Sequence, residues 1–142
     1  MDTVWRTQLV AVACMIIALS ACSRDKGALV AESASGNVIM YVSNQCLTIN
    51  PVEIAVQLDG QPLIRRTFGY TGLHSDAVEY QFEWGPGHHS LFASSVHGNV
   101  FVEQRIDVVG NVWVLVEYLC GARGDQEPRL KITCQDRPFS FR

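Results

Sequence analysis

The chain has 142 residues, of which 48% are hydrophobic and 18% charged, with a formal net charge of −3. That mildly acidic balance excludes the basic face that nucleic-acid binding requires and an electrostatic attraction to anionic lipid. The length bounds the chain to a single folded domain with one core.

The first element is an apolar run from Leu9 to Ala21. It is too short to span a bilayer, which needs about 20 residues, and fits a signal h-region ending in small residues. Its n-region is weak, because Asp2 offsets Arg6. The run closes in Leu19-Ser20-Ala21-Cys22, which resembles the lipobox of bacterial lipoprotein precursors: an aliphatic residue and two small ones before an invariant cysteine. The resemblance implies diacylglycerol on the Cys22 sulfur, cleavage just before it, and a mature protein held to a membrane by acyl chains. One chain gives marginal binding at ~0.8 kcal/mol per buried methylene, and two or three make the attachment stable. Ser23 follows the cysteine. By the family's sorting rule it implies the periplasmic face of the outer membrane, where the host has one. Taken alone, the apolar run also fits an uncleaved N-terminal helix or an ordinary signal peptide cut elsewhere. Cys14, inside the run, reads as a small apolar residue.

Ser23 to Asn37, SRDKGALVAESASGN, is small and polar without periodicity and reads as a flexible tether. A coil of about 15 residues has an r.m.s. span of roughly 20 Å. The expected division is a signal peptide over 1–21, a lipidated N-terminus and tether over 22–37, and a folded domain over 38–142.

From Val38 onward the period is two. Val38, Met40 and Val42 alternate with Ile39, Tyr41 and Ser43, and Asn44 ends the run. Val52, Ile54, Val56 and Leu58 form a half-buried strand, Asp59-Gly60 a hairpin turn, and Leu63 to Phe68 the partner strand. Ala77 to Trp84 sets Val78, Tyr80, Phe82 and Trp84 on one face, and Glu79, Gln81 and Glu83 on the other. Gly85-Pro86-Gly87 breaks this strand, and His89 to Val96 resumes. After the turn at His97-Gly98-Asn99, the less regular Val100, Val102, Arg105 and Val108 predict a bulge near Glu103. Gly110-Asn111 turns into Val112, Val114, Val116 and Tyr118, and the last strand alternates Leu130, Ile132 and Cys134 with charged and polar residues. About seven or eight short strands between turn residues predict an all-β, antiparallel sandwich of the Ig-like or transthyretin-like kind.

Leu58-Asp59-Gly60, Trp84-Gly85-Pro86-Gly87-His88-His89-Ser90-Leu91, Gly98 and the hairpin at Gly110 resemble the turns of small PEGA or transthyretin-like surface β-modules. The likeness covers about half of the expected mature chain and rests on turn chemistry. The short Thr-Pro step usual in PEGA domains is missing. The resemblance implies a structural or surface-binding module without enzymatic activity, and no cofactor.

Three cysteines fall in the expected domain. Cys120 shares the parity of Val114 and Val116, and Cys134 that of Leu130 and Ile132. A Cys120–Cys134 bridge across this hairpin is therefore expected, worth roughly 3 kcal/mol, with Cys46 left over. Two reduced core cysteines, or a bridge using Cys46, are the other arrangements that three thiols allow. His74, His88, His89 and His97 lack metal-ligand spacing and read as turn and surface residues. Arg123-Gly124-Asp125 is read as turn chemistry rather than an adhesion motif, and Glu79 with Glu83 as a solvated strand face. No nucleophile elbow, P-loop or dinucleotide fingerprint is present. Trp113, Leu115 and Leu119 stand on the face of their strand opposite Val112 and Val114. They form either a second covered sheet face or an exposed patch that binds a partner. The expected partners are a membrane, through the lipid on Cys22, and another envelope protein. A lipoprotein binding a small molecule or peptide is the alternative.

Overall fold

The computed structural model describes residues 35–121 and 126–141. Within these residues eight strands form two four-stranded sheets: β1 (Val38–Asn44), β2 (Val52–Leu58), β3 (Gln61–Phe68), β4 (Val78–Phe82), β5 (Gly87–Ser95), β6 (Val100–Val108), β7 (Val112–Leu119) and β8 (Arg129–Gln135). Sheet A has the order β4-β1-β7-β8 and sheet B the order β3-β2-β5-β6. The apolar parity of each strand faces inward, so the two sheets bury one shared core, the aligned sandwich expected of such alternation. Val38, Met40 and Val42 of β1 and Val52, Ile54 and Val56 of β2 are each fully buried. Each such side chain stabilises by about 1.5–3 kcal/mol relative to exposure.

Pairing is antiparallel with one exception. β1 runs parallel to β7, from Val38↔Val112 to Asn44↔Tyr118, while its other edge pairs antiparallel with β4. The first strand is thus inserted into the middle of its sheet beside a strand 74 residues downstream, the constant offset of this register. Alternation along β1 defines which residues it buries and carries no trace of which neighbour it takes.

The Asp59-Gly60 turn has positive φ at both positions (48° and 79°), the primed geometry whose twist matches the flanking strands. The bulge expected near Glu103 is absent. β5 and β6 pair without interruption from Gly87↔Val108 to Ser95↔Val100. Gln104 occupies an inward position in an otherwise regular Val100, Val102, Ile106, Val108 set, so a polar residue imitated a change of register. The register shift lies instead between Val56 and Gln57, opposite β3, and lets the adjacent Leu63 and Ile64 both be buried.

Strand directions give the sandwich two distinct ends. At one end lie the segment leading into β1, the Asp59-Gly60 turn, the 83–86 loop and the β6–β7 turn. There Asn37 clamps the main chain just past β4: Trp84 N–H donates to Asn37 Oδ1, and Asn37 Nδ2 donates to the Trp84 carbonyl, both at 2.9 Å. The chain passes so close to β4 that a Cβ on Gly36 would lie 2.1 Å from the Phe82 carbonyl oxygen. At the opposite end, fully buried Asn44 ties the β1–β2 loop to the chain leaving β3. Its Nδ2 donates to the Ile49 carbonyl (3.0 Å) and, at longer range, to that of Phe68 (3.4 Å). Its Oδ1 accepts from Cys46 N–H (2.9 Å), and its own carbonyl accepts from Thr71 N–H (3.1 Å). Tyr118, also fully buried, donates its hydroxyl to the His97 carbonyl and so links β7 to sheet B.

Candidate functional site

The expected Cys120–Cys134 bridge is not formed. Among the described residues the disulfide joins Cys46 to Cys120, with Cα atoms 5.0 Å apart, and Cys134 is the free thiol. The register explains the correction. β7 and β8 do pair, but Val114 stands opposite Cys134 and Leu119 opposite Arg129. Cys120 and Cys134 therefore point from opposite ends of the hairpin, about 20 Å apart at ~3.3 Å per residue. Cys46 and Cys120 instead continue the parallel ladder two positions beyond Asn44↔Tyr118, side by side. The Thr48 hydroxyl lies 3.4 Å from one sulfur and 3.3 Å from the other. Burial pushes the Cys134 thiol up to about 11, so little thiolate forms near neutrality.

At the end where β1 begins, an open concavity of about 560 Å³ is lined by Asp59, His88, His89, Ser90, Glu103 and Arg105. Serine, histidine and aspartate meet here without forming a catalytic relay. His89 Nδ1 lies 2.8 Å from Asp59 Oδ2, and its Nε2 lies 2.8 Å from the Gly85 carbonyl. The Ser90 hydroxyl donates to Glu103, and Ser90 N–H to Asp59 Oδ1. A general base needs a free ring nitrogen directed at the nucleophile. Here both nitrogens face acceptors, an arrangement that suits the imidazolium. The Asp59 carboxylate, then the Gly85 carbonyl, raise the pKa of His89, and the same bond to His89 lowers that of Asp59. The group acts as a clip between the β2–β3 turn and the loop preceding β5.

The remaining histidines are dispersed. His88 stands 3.2 Å from Asp107, His97 accepts the Glu53 N–H through Nδ1, and His74 Nδ1 lies 2.7 Å from Glu117 Oε1. Among the described residues, no three His, Cys, Asp or Glu side chains stand close enough together to hold a metal ion.

The outer face of sheet A holds the patch foreseen on β7. Leu115 is 7% exposed, while Trp113 and Leu119 are half-buried. Two segments lie over this face. Near its upper end the 3-10 turn His74–Asp76 brings His74 to Glu117, which is 4% exposed beside the fully buried Ser43. The contact lacks hydrogen-bond geometry, and neither Glu117 Oε1 nor the adjacent Ser43 Oγ has a hydrogen-bond partner among the described residues. Over its middle lie Phe139 and Phe141, whose rings meet Tyr41 edge-on at 6.1 Å and 5.2 Å. Tyr41 is the register neighbour of Leu115. It stands opposite Glu79 on β4, and burial, followed by the nearby Glu79 carboxylate, raises its pKa. Phe139 and Phe141 went unread in the sequence. The signal was there as an aromatic pair two residues apart, beyond the last apolar strand.

Cys22 and Arg123-Gly124-Asp125 lie outside the described residues. Among the described residues, no helix is long and apolar enough to cross a membrane. Compared with protein-family models, with curated proteins and with solved structures, the chain finds no match in any of the three.

Proposed function

We propose that the chain is a lipid-anchored protein of a bacterial envelope, with Cys22 as the anchor atom and the sandwich in a non-enzymatic structural or protein-binding role. The observation that carries this reading is Leu19-Ser20-Ala21-Cys22, set at the close of an apolar run of signal-peptide length and followed by a polar tether. The Cys46–Cys120 disulfide supports it, since such bonds persist in exported compartments and are rare in a reducing cytosol. An anchor at Cys22 would hold the domain by the end that carries Asn37 and Trp84. The loops around the disulfide would then be turned away from the bilayer. Ser23 favours the periplasmic face of the outer membrane in a host that has one.

Mass spectrometry of the mature N-terminus tests the anchor. Acyl mass on Cys22 is expected, and Cys22→Ser is expected to block processing or release the protein from membranes. A water-soluble mature form beginning at any other residue would overturn the reading. The alternative, a lipoprotein that binds a peptide or small molecule, draws support from the outer face of sheet A, where Tyr41 seats the rings of Phe139 and Phe141.

A further inference from the structure

Beyond Gln135 the chain leaves the β7–β8 ladder, and Asp136, Arg137 and Pro138 are exposed. Phe139 and Phe141 are then half-buried with the exposed Ser140 between them, so both rings turn to the sheet with a period of two. Their centroids are 5.8 Å apart, and both meet the ring of Tyr41. Among the described residues, no backbone–backbone hydrogen bond ties 136–141 to a neighbouring strand. Side chains alone hold the segment down. It belongs to no ladder and lies outside the core cluster, so lifting it breaks no strand pairing and opens no core. Beneath it the seat is fixed: Tyr41 and Leu115 are register neighbours, each on a strand bonded along both edges.

We propose that the outer face of sheet A is a docking groove for an extended segment of a partner protein carrying aromatic residues at alternate positions. Phe139-Ser140-Phe141 is its occupant in cis and competes with that partner. The chemistry of the partner is read from the occupant already present: two aromatic rings, one residue between them, and no main-chain pairing. Trp113 and Leu119, half-buried on the same face of β7, extend the apolar surface along the strand. The inference rests on the protein-binding reading of the sandwich and deepens it.

The test uses the full chain and a synthetic peptide of residues 136–142, Asp-Arg-Pro-Phe-Ser-Phe-Arg, followed through the NMR signals of Tyr41 and Leu115. In Phe139→Ser/Phe141→Ser the groove is vacated, and the peptide is expected to bind about tenfold or more tightly than to the unaltered chain, where the cis segment competes. A peptide with serine at both phenylalanine positions is expected not to bind, and adding Tyr41→Ser to the double variant to abolish binding. Phe141→Ser alone keeps the Phe139 contact and repeats the measurement should the double variant lose its fold. A folded variant that binds no peptide, or binds the serine peptide equally, overturns the inference. Equal affinity for the variant and the unaltered chain does the same. The anchor is judged separately: peptide binding by a chain without acyl mass on Cys22 would refute the anchor alone, and a lipidated chain deaf to the peptide would refute the groove alone.

Discussion

Replacing Cys46 and Cys120 together by alanine removes a cross-link that spans 74 residues of sequence. In the chain-entropy relation a loop of that size restrains the unfolded state by about 4 kcal/mol, against about 3 for the short hairpin loop that a Cys120–Cys134 bridge would close. Against a typical domain stability of ~5–15 kcal/mol, this is a large fraction of the total. Cys46 is also fully buried, so its truncation adds the cost of a small cavity. Urea unfolding of the oxidised chain, the reduced chain and the alanine pair separates the two contributions. Reduction alone reports the cross-link, and the further loss in the variant reports the packing. Cys134→Ala, which removes a half-buried free thiol and no bridge, is expected to cost about 1 kcal/mol or less. The reasoning fails if Cys134→Ala destabilises as much as the Cys46/Cys120 pair, or if peptide mapping of the oxidised chain recovers Cys120 linked to Cys134.

Asn44→Ala strands the Ile49 carbonyl and the Cys46 N–H, and at ~1–3 kcal/mol for each orphaned buried group a loss of roughly 2–6 kcal/mol is expected in thermal or urea unfolding; a loss below about 1 would show that the loops do not depend on it. Gly36→Ala must push the chain off the Phe82 carbonyl, and amide exchange is expected to accelerate at Asn37 and Trp84 while the far end of the sandwich is unchanged. His89 has a folded pKa raised above 6.5, so its contribution is complete below that pH and is lost as pH rises through the folded value. Asp59 is lowered from 3.8, so its share is present above 3.8 and is lost as pH falls through its folded value; the pair therefore stabilises most between pH 3.8 and 6.5. With Asp59 half exposed, the amount is within ~1 kcal/mol, and Asp59→Asn should flatten the decline of the urea midpoint between pH 6 and pH 8; an unchanged slope would assign that decline to another group.

How legible this architecture was depended on the range over which each feature is decided. Alternation within β2, β4 and β7 and the Asp59-Gly60 turn are local, and the strands stand where the pattern set them. The partner of β1 is not local. Val38, Met40 and Val42 say only that one face is buried, and the same parity would serve beside any strand of either sheet. The cysteine pairing inherited that gap, because Cys46 meets Cys120 only through the β1–β7 ladder. Asn44 read as a strand terminator, which it is, but its burial also depends on the end of β3, 24 residues away, closing over it and the loop that follows it. On the outer face of sheet A, the apolar parity of Trp113, Leu115 and Leu119 was visible. What lies over it was not, since a short segment past the last strand, without strand pattern, carries no sign of where it docks.

The parallel insertion of β1 also decides how the domain bears load. A pull on the chain upstream of Ser35 acts along the axis of β1, which is bonded on one side to β4 and on the other to β7. The hydrogen bonds of both ladders then resist in shear, sharing the force, instead of opening one after another as at a peeled edge. Should the strand slide, the slack ends at Cys46, which is covalently fastened to the last turn of its neighbour. Tension applied upstream of β1 would therefore be carried by two ladders and a covalent cross-link together.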